Sequence, residues 1–149
     1  MRNAFPVEFS PVEDGAIMAT FPDLGGVTQG DDEAEALREA EDLLVEVIKG
    51  RIAHGEDIPE PSAPDGRRVV AVPPVLVAKI ELYVAWREAG ISKAELARRL
   101  GWHPPQVGRL FDVDHNSRID QVDAALNALG RRLIVSTVRS AAASDLRRG

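Results

Sequence analysis

Carboxylates are the residues of this chain most able to do chemistry, and they crowd into its front. Residues 1–66 carry 16 Asp and Glu against 4 Lys and Arg. Metal-assisted cleavage of a phosphodiester needs several carboxylates converging on two divalent ions, which clamp the attacking and leaving oxygens. Glu8 lies in a strand pattern, but on the face opposite Phe5, Val7 and Phe9. Asp14 and Asp23 fall in turns, where Asp is common for local hydrogen bonding. The acids between 31 and 42 mostly fill the outward face of a helix. His54, His103 and His115 show no metal-ligand spacing, and Cys is absent, so thiolate and disulfide chemistry are unavailable. No catalytic residue, metal site or cofactor is expected, and the chemistry left to the acids is recognition by charge.

The rear of the chain has the opposite sign. Residues 67–149 carry 14 Lys and Arg against 8 Asp and Glu, so the net charge of −6 divides into −12 in front and +6 behind. Such polarity suggests two halves with different partners, the basic one suited to a phosphate backbone. A length of 149 residues fits one ordinary domain or two small ones. No apolar run approaches the roughly 20 residues that span a bilayer. The opening "MRNAFPVEFSPVEDG" lacks the apolar core of a signal peptide. The expectation is a soluble cytoplasmic protein without a membrane partner.

The elements that must position these charges are legible in outline. "AFPVEF" (4–9) alternates as a half-buried strand, and Pro6 marks an edge position or a strand end. Asp14-Gly15 signals a hairpin leading into "AIMATF" (16–21), and "VTQ" (27–29) is a short third strand. Asp31 or Asp32 caps a helix whose first turn holds Glu33 and Glu35. Its apolar stripe runs through Leu37, Ala40, Leu44, Val47, Ile48 and Ile52 and is stopped by Gly55. "EDIPEPSAPDG" (56–66) is an extended connector, and "RRVVAV" (67–72) a fourth strand returning to the sheet.

That hairpin, with "TFPDLGGVTQGDD", an acidic helix and "GEDIPEPS" after it, resembles the N-terminal domain of HicB-type antitoxins over nearly all of residues 4–72. The resemblance implies an α+β protein whose first domain, residues 1–72, is a β-β-β-α-β partial RNase H-like fold without nuclease activity. It further implies a HicA-type toxin as partner, a small RNA-cleaving protein with a catalytic His and a double-stranded-RNA-binding-like fold. An RNA-cleaving partner must present a basic surface, which an acidic domain complements. Asp14 and the loop Phe21, Pro22, Asp23 and Leu24 are the toxin-contact candidates, although Phe21 and Leu24 serve equally well as core.

Residues 73–149 form the second expected domain. "PPVLVAKIELYVAWREAG" (73–90) reads as an amphipathic helix with Leu76, Val77, Ile80, Tyr83 and Val84 on its apolar side and Gly90 as its stop. "ISKAELARRLG" (91–101) gives a capping box from Ser92 and Glu95 with Ile91 as staple, and Ala94, Leu96, Ala97 and Leu100 as the packing side. A further helix follows a short glycine-containing turn, which is a helix-turn-helix arrangement. "ISKAELARRLGWHPPQVGRLF" resembles the XRE/Cro-type DNA-binding domain. Pro104 and Pro105 then occupy the first turn of the recognition helix, where amides have no intrahelical partner and proline supplies a preset φ. Gly108, inside that helix, either leaves room for the DNA backbone or a neighbouring helix, or reflects no requirement at all.

By this resemblance Arg109 reaches base edges in the major groove, where Arg pairs bidentately with guanine. Gln106 shares its face and reads adenine or holds a phosphate, while His103 and Pro105 line the entry. Ser92 and Lys93 suit phosphate contacts at a helix N-terminus. Asn116, Ser117 and Arg118 match a backbone-contacting segment. Arg98 and Arg99 are read as surface charge.

"RIDQVDAALNALG" (118–130) completes the domain as a helix packed through Ile119, Val122, Leu126 and Leu129. "RRLIVSTV" (131–138) alternates as a C-terminal strand that either pairs with its twin across a homodimer axis or folds onto its own domain. The closing "RSAAASDLRRG" is expected to be mobile. The leading expectation is an antitoxin that binds its toxin with the front, represses its own operon with the rear by binding operator DNA, and assembles as a homodimer or tetramer. A regulator whose front domain senses a small molecule is the alternative, and the charge of −12 argues against it.

Overall fold

The computed structural model describes residues 1–139. Apolar alternation makes β1 (Ala4–Pro11), and the hairpin after it turns at Asp14 and Gly15, both at positive φ (66° and 80°). The chain returns antiparallel as β2 (Ile17–Thr20), with Ala19 opposite Phe9, and again as β3 (Val27–Gly30), with Gly30 opposite Ile17. From far along the chain β4 (Arg68–Ala71) joins the other end of β1, Val70 opposite Phe5, giving the order β3-β2-β1-β4. Strand β1 is thus interior to the sheet, against the edge position that Pro6 suggested. Its partners are divided, however: residues 4–7 pair with β4 and residues 8–11 with β2. Pro6, opposite Val69, lies where β1 has a partner on one side only, which is the local condition under which a sheet tolerates proline.

Helix α1 (Glu33–Ala53) is capped by Asp32, whose carboxylate accepts the Glu35 amide at 2.8 Å, while the Glu35 carboxylate accepts the Asp31 amide at 2.7 Å. Two orphan amides are satisfied by acids at the positive end of the helix dipole. Ala36, Ala40, Leu44 and Ile48, one i+4 row, are buried against the sheet, whereas Leu37, Val47 and Ile52 flank it half-buried. The small residues let helix and sheet approach closely. A Cβ on Gly30 would stand 2.3 Å from the Ala36 amide nitrogen and 2.9 Å from its Cα.

Helix α2 (Pro74–Ala89) departs from the single stripe expected of it. Leu76, Ala78, Lys79, Ile80, Leu82, Tyr83 and Ala85 are all buried, because both sides of the helix are covered. Towards the front half, the Tyr83 hydroxyl donates to the Glu56 carbonyl at 2.7 Å and the Arg87 guanidinium pairs with Asp57 at 2.7 Å. Burial raises the Tyr83 pKa above its ordinary value. On its other side α2 packs on α5 (Ile119–Ala128). One apolar core therefore runs from Phe5 and Val7 through Ile80 to Val122 and Leu126.

Two short helices, α3 (Lys93–Leu100) and α4 (Pro104–Leu110), complete the rear half. Gly101 joins them at φ +71°, a left-handed conformation that other residues adopt with strain. In α3, Leu96 and Ala97 are buried and Leu100 packs half-buried, while Ala94, expected on the packing side, is exposed.

The strand expected over 131–138 does not form. Arg131 pairs with Glu88, and the Leu133 amide donates to Asp123 at 3.0 Å, fastening the start of the segment to α2 and α5. Beyond this, Ile134, Val135 and Val138 are 77%, 75% and 90% exposed. A strand requires a neighbouring edge for its backbone groups, and among the described residues every strand of the sheet precedes α2. The expectation of a mobile tail concerns residues that, from 140 onward, lie outside the described ones.

The contact between β3 and α1 is open to a direct check. Gly30→Ala forces backbone against backbone and is expected to lower stability by about 1–3 kcal/mol. Gly50→Ala, in a helix position where nothing lies within 4 Å, is expected to raise it by up to about 1 kcal/mol. Paired thermal denaturation of the two variants measures both.

Candidate functional site

The rear half presents one face built by α3, α4 and the loop behind them. In α4, Pro104 and Pro105 start the helix behind His103, and Val107 and Leu110 are buried beneath it. His103, Pro105, Gln106, Gly108 and Arg109 face solvent. Gln106 is partly engaged: its Oε1 accepts the His103 backbone amide at 2.9 Å, which leaves the side-chain NH2 as the outward group. Arg98 and Arg99 both pair with Glu95, and Arg118 pairs with Asp120 at 3.0 Å. The Arg109 guanidinium, by contrast, has no carboxylate partner among the described residues. A Cβ on Gly108 would meet no atom within 4 Å, so no neighbouring helix requires a glycine there.

At the start of α3, the Ser92 hydroxyl accepts the Glu95 amide at 3.0 Å, forming the expected cap. The reciprocal half of the capping box is absent, because the Glu95 carboxylate is taken by Arg98 at 2.6 and 2.7 Å. Arg98 first, and Arg99 after it, hold the Glu95 carboxyl down at about 2. Lys93 does not project freely: its ammonium lies 4.8 Å from the ring centroid of Phe111 and 5.4 Å from that of Trp86, a cation–π position over two rings that themselves meet edge to face.

The loop after α4 divides the expected backbone-contacting residues. Asn116 and Arg118 are exposed, whereas Ser117 is 5% exposed. Its hydroxyl lies 3.0 Å from His115 Nδ1 and donates to the Arg109 carbonyl at 3.4 Å. Ser117 thus faces the interior and braces the loop, because the chain must turn back there into α5.

The side chain that reading the sequence missed is Lys79. It is 2% exposed on α2, and its ammonium donates to the carbonyls of His115 at 2.5 Å, Asp112 at 2.6 Å and Arg109 at 3.3 Å. A lysine inside the apolar run "VLVAKIELYVAW", on the same stripe as Leu76 and Tyr83, was the available signal.

In the front half, Phe21 and Leu24 are buried at 1% and 4% exposure. They belong to the core rather than to a projecting plug, since the loop folds back through the Gly25 amide onto the Phe21 carbonyl at 2.8 Å. Asp23 accepts the Ser62 amide and hydroxyl at 2.9 and 3.0 Å and so clasps the connector. Of the toxin-contact candidates, Pro22 and Asp14 face solvent. The exposed acids are instead concentrated along α1, where Glu39, Asp42 and Glu46 share the outward side. Glu8 pairs with Arg67 at 3.1 Å. Among the described residues no three of His, Cys, Asp and Glu gather as a metal site, and no helix is long and apolar enough to cross a membrane.

Comparison with known proteins shows the family of the chain. Residues 4–81 match the family described as HicB_like antitoxin of bacterial toxin-antitoxin system. Antitoxin HicB 1 of Photorhabdus laumondii is 35% identical over 133 residues, covering 89% of this chain and 85% of the relative. Antitoxin HicB of Escherichia coli is 34% identical over 131 residues, covering 87% and 95%. Antitoxin HicB of Pseudomonas fluorescens is 40% identical over 109 residues, covering 72% and 75%. With a family match over more than half its length and relatives aligned over three quarters or more of theirs, this chain belongs to the HicB-like antitoxins.

Proposed function

We propose that this cytoplasmic antitoxin neutralises a HicA-type RNA-cleaving toxin through its acidic front half and represses its own operon by binding operator DNA through α3 and α4. The observation that carries the DNA reading is the exposure of Arg109 and Gln106 on a short helix anchored from beneath by Val107 and Leu110. In a helix-turn-helix arrangement this side of the second helix enters the major groove. Arg109, without a carboxylate partner, is free to pair with a guanine edge, and the Gln106 NH2 is directed outward for a second base or a phosphate. Asn116 and Arg118, both exposed, are the proposed phosphate contacts beside it, Arg118 exchanging its partner Asp120 for the DNA.

The toxin reading is supported by family membership and by the exposed acids of α1. An acidic helix offered to a basic ribonuclease speeds encounter and shields the phosphate-binding surface. Homodimerisation supplies the two-fold symmetry of a palindromic operator, with half-sites about one helical turn apart. The exposed apolar side chains Ile134, Val135 and Val138, beyond the tether at Leu133, are the proposed contact for that assembly.

Three outcomes are expected. Arg109→Ala loses about 1–3 kcal/mol of discrimination at one base pair in DNA-binding titrations against mutated operators, while RNA cleavage by the toxin stays inhibited. Gly108→Ala gains up to about 1 kcal/mol of stability from helix propensity yet weakens operator binding; unchanged affinity would show that no DNA backbone approaches Gly108. Reversing charge at Glu39, Asp42 and Glu46 together slows association with the toxin, by about tenfold or more at low salt, as measured by stopped-flow mixing. An association rate indifferent to these changes and to salt would remove α1 from the toxin interface.

A further inference from the structure

Lys79 is a buried cation without a buried anion. Removing an ammonium from water is unfavourable unless every proton finds an acceptor, and an apolar side chain would fill the same space on α2. The compensation lies in the backbone of another part of the molecule. The ammonium has three protons, and three carbonyls converge on it, those of Arg109, Asp112 and His115. These are the last residues of α4 and the loop that follows, where helix carbonyls lack intrahelical partners and the helix dipole is negative.

The Arg109 carbonyl is a junction. It accepts from the Asp112 amide at 3.2 Å and from the Ser117 hydroxyl at 3.4 Å as well as from Lys79. Asp112 in turn accepts the His115 amide at 3.1 Å through the same carbonyl that Lys79 holds. Beside this knot lies a cleft of about 230 Å³ between α1, the start of α2 and the loop, lined by Val45, Pro73, Val113 and His115 among others. The loop therefore has room to shift once its tether is removed.

The geometry points to Lys79 as a positioning residue for DNA recognition: from inside the core its charge fixes the α4 terminus and the 112–118 loop, and so sets Arg109, Asn116 and Arg118 in one rigid array. This inference rests on the DNA-binding reading above. Lys79 itself touches no nucleic acid. Burial lowers its pKa, opposed by Asp112, as the desolvation argument requires.

Absence of native Cys permits a test that changes the charge and little else. Lys79→Cys, alkylated while unfolded and then refolded, carries an ammonium side chain of near-lysine length after 2-bromoethylamine and a neutral side chain of equal size after 1-bromopropane. Each protein is titrated with the duplex DNA immediately upstream of the first reading frame of its operon, and folding is followed by circular dichroism. The propyl protein is expected to fold and to bind about tenfold or more weakly, because the array must then be ordered on binding; the aminoethyl protein should recover wild-type affinity to within about twofold. Equal affinity of the two alkylated proteins, with the wild type binding, overturns the inference alone. A wild type that fails to bind the duplex overturns the DNA-binding reading and this inference together. Should the propyl protein not fold, Lys79→Gln, which keeps two N–H donors without charge, takes its place. Failure of both to fold overturns the positioning role, since the charge would then serve the whole core.

Discussion

Helix α2 is buried on both sides, and the rest of the molecule is arranged around that burial. Tyr83 and Arg87 reach into the connector of the front half, while Leu76, Ile80 and Leu82 share a core with Val122 and Leu126 behind. Each fully buried aliphatic or aromatic side chain contributes on the order of 1.5–3 kcal/mol, so a helix covered all round is a strong joint. The consequence is mechanical. The acidic helix α1 and the basic face of α4 are held at a fixed separation and orientation within one chain, instead of swinging on a linker.

Ion pairs cross this joint, yet the acids on the outward side of α1 are left exposed. The ion pair between Lys49 of α1 and Asp114 of the α4–α5 loop, at 2.5 Å, joins a cation from the acidic half to an anion from the basic half. Arg87 and Asp57 pair in the opposite sense at 2.7 Å, so ion pairs of both senses cross the joint while Glu39, Asp42 and Glu46 of α1 stay exposed. Arg98 and Arg99 are tempered by Glu95, and exposed pairs of this kind contribute little to stability. Arg109 is the one charged residue of α4 and has no carboxylate partner among the described residues.

What was legible in the sequence was local. The caps at Asp32 and Ser92, the stops at Gly90 and Gly101, the Asp14-Gly15 hairpin and the start of α4 at Pro104 all depend on residues a few positions apart, and each is found. What was hidden depends on distant partners. Lys79 meets carbonyls some thirty residues away, and no periodicity reports that. Phe21 and Leu24 read equally as plug or core until the loop is seen folding inward. Ser117 looks like a surface hydroxyl because its burial is imposed by the turn into α5. The alternation in 131–138 is genuine, but alternation describes a strand's sides and says nothing of whether an edge is present to receive it.

The divided pairing of β1 also shapes how the chain comes together. Its far end closes with β2 across a short hairpin, so that ladder nucleates as soon as the two segments exist. Its near end waits for β4, from which nearly the whole front half of the chain separates it; closing so long a loop is entropically slower. During synthesis on the ribosome, the sheet stays unfinished until β4 has emerged, and α2 follows β4 within a few residues. The sheet is therefore completed while α3, α4 and α5 are still to be made, and a nascent chain interrupted before β4 leaves behind an open sheet edge prone to non-native pairing.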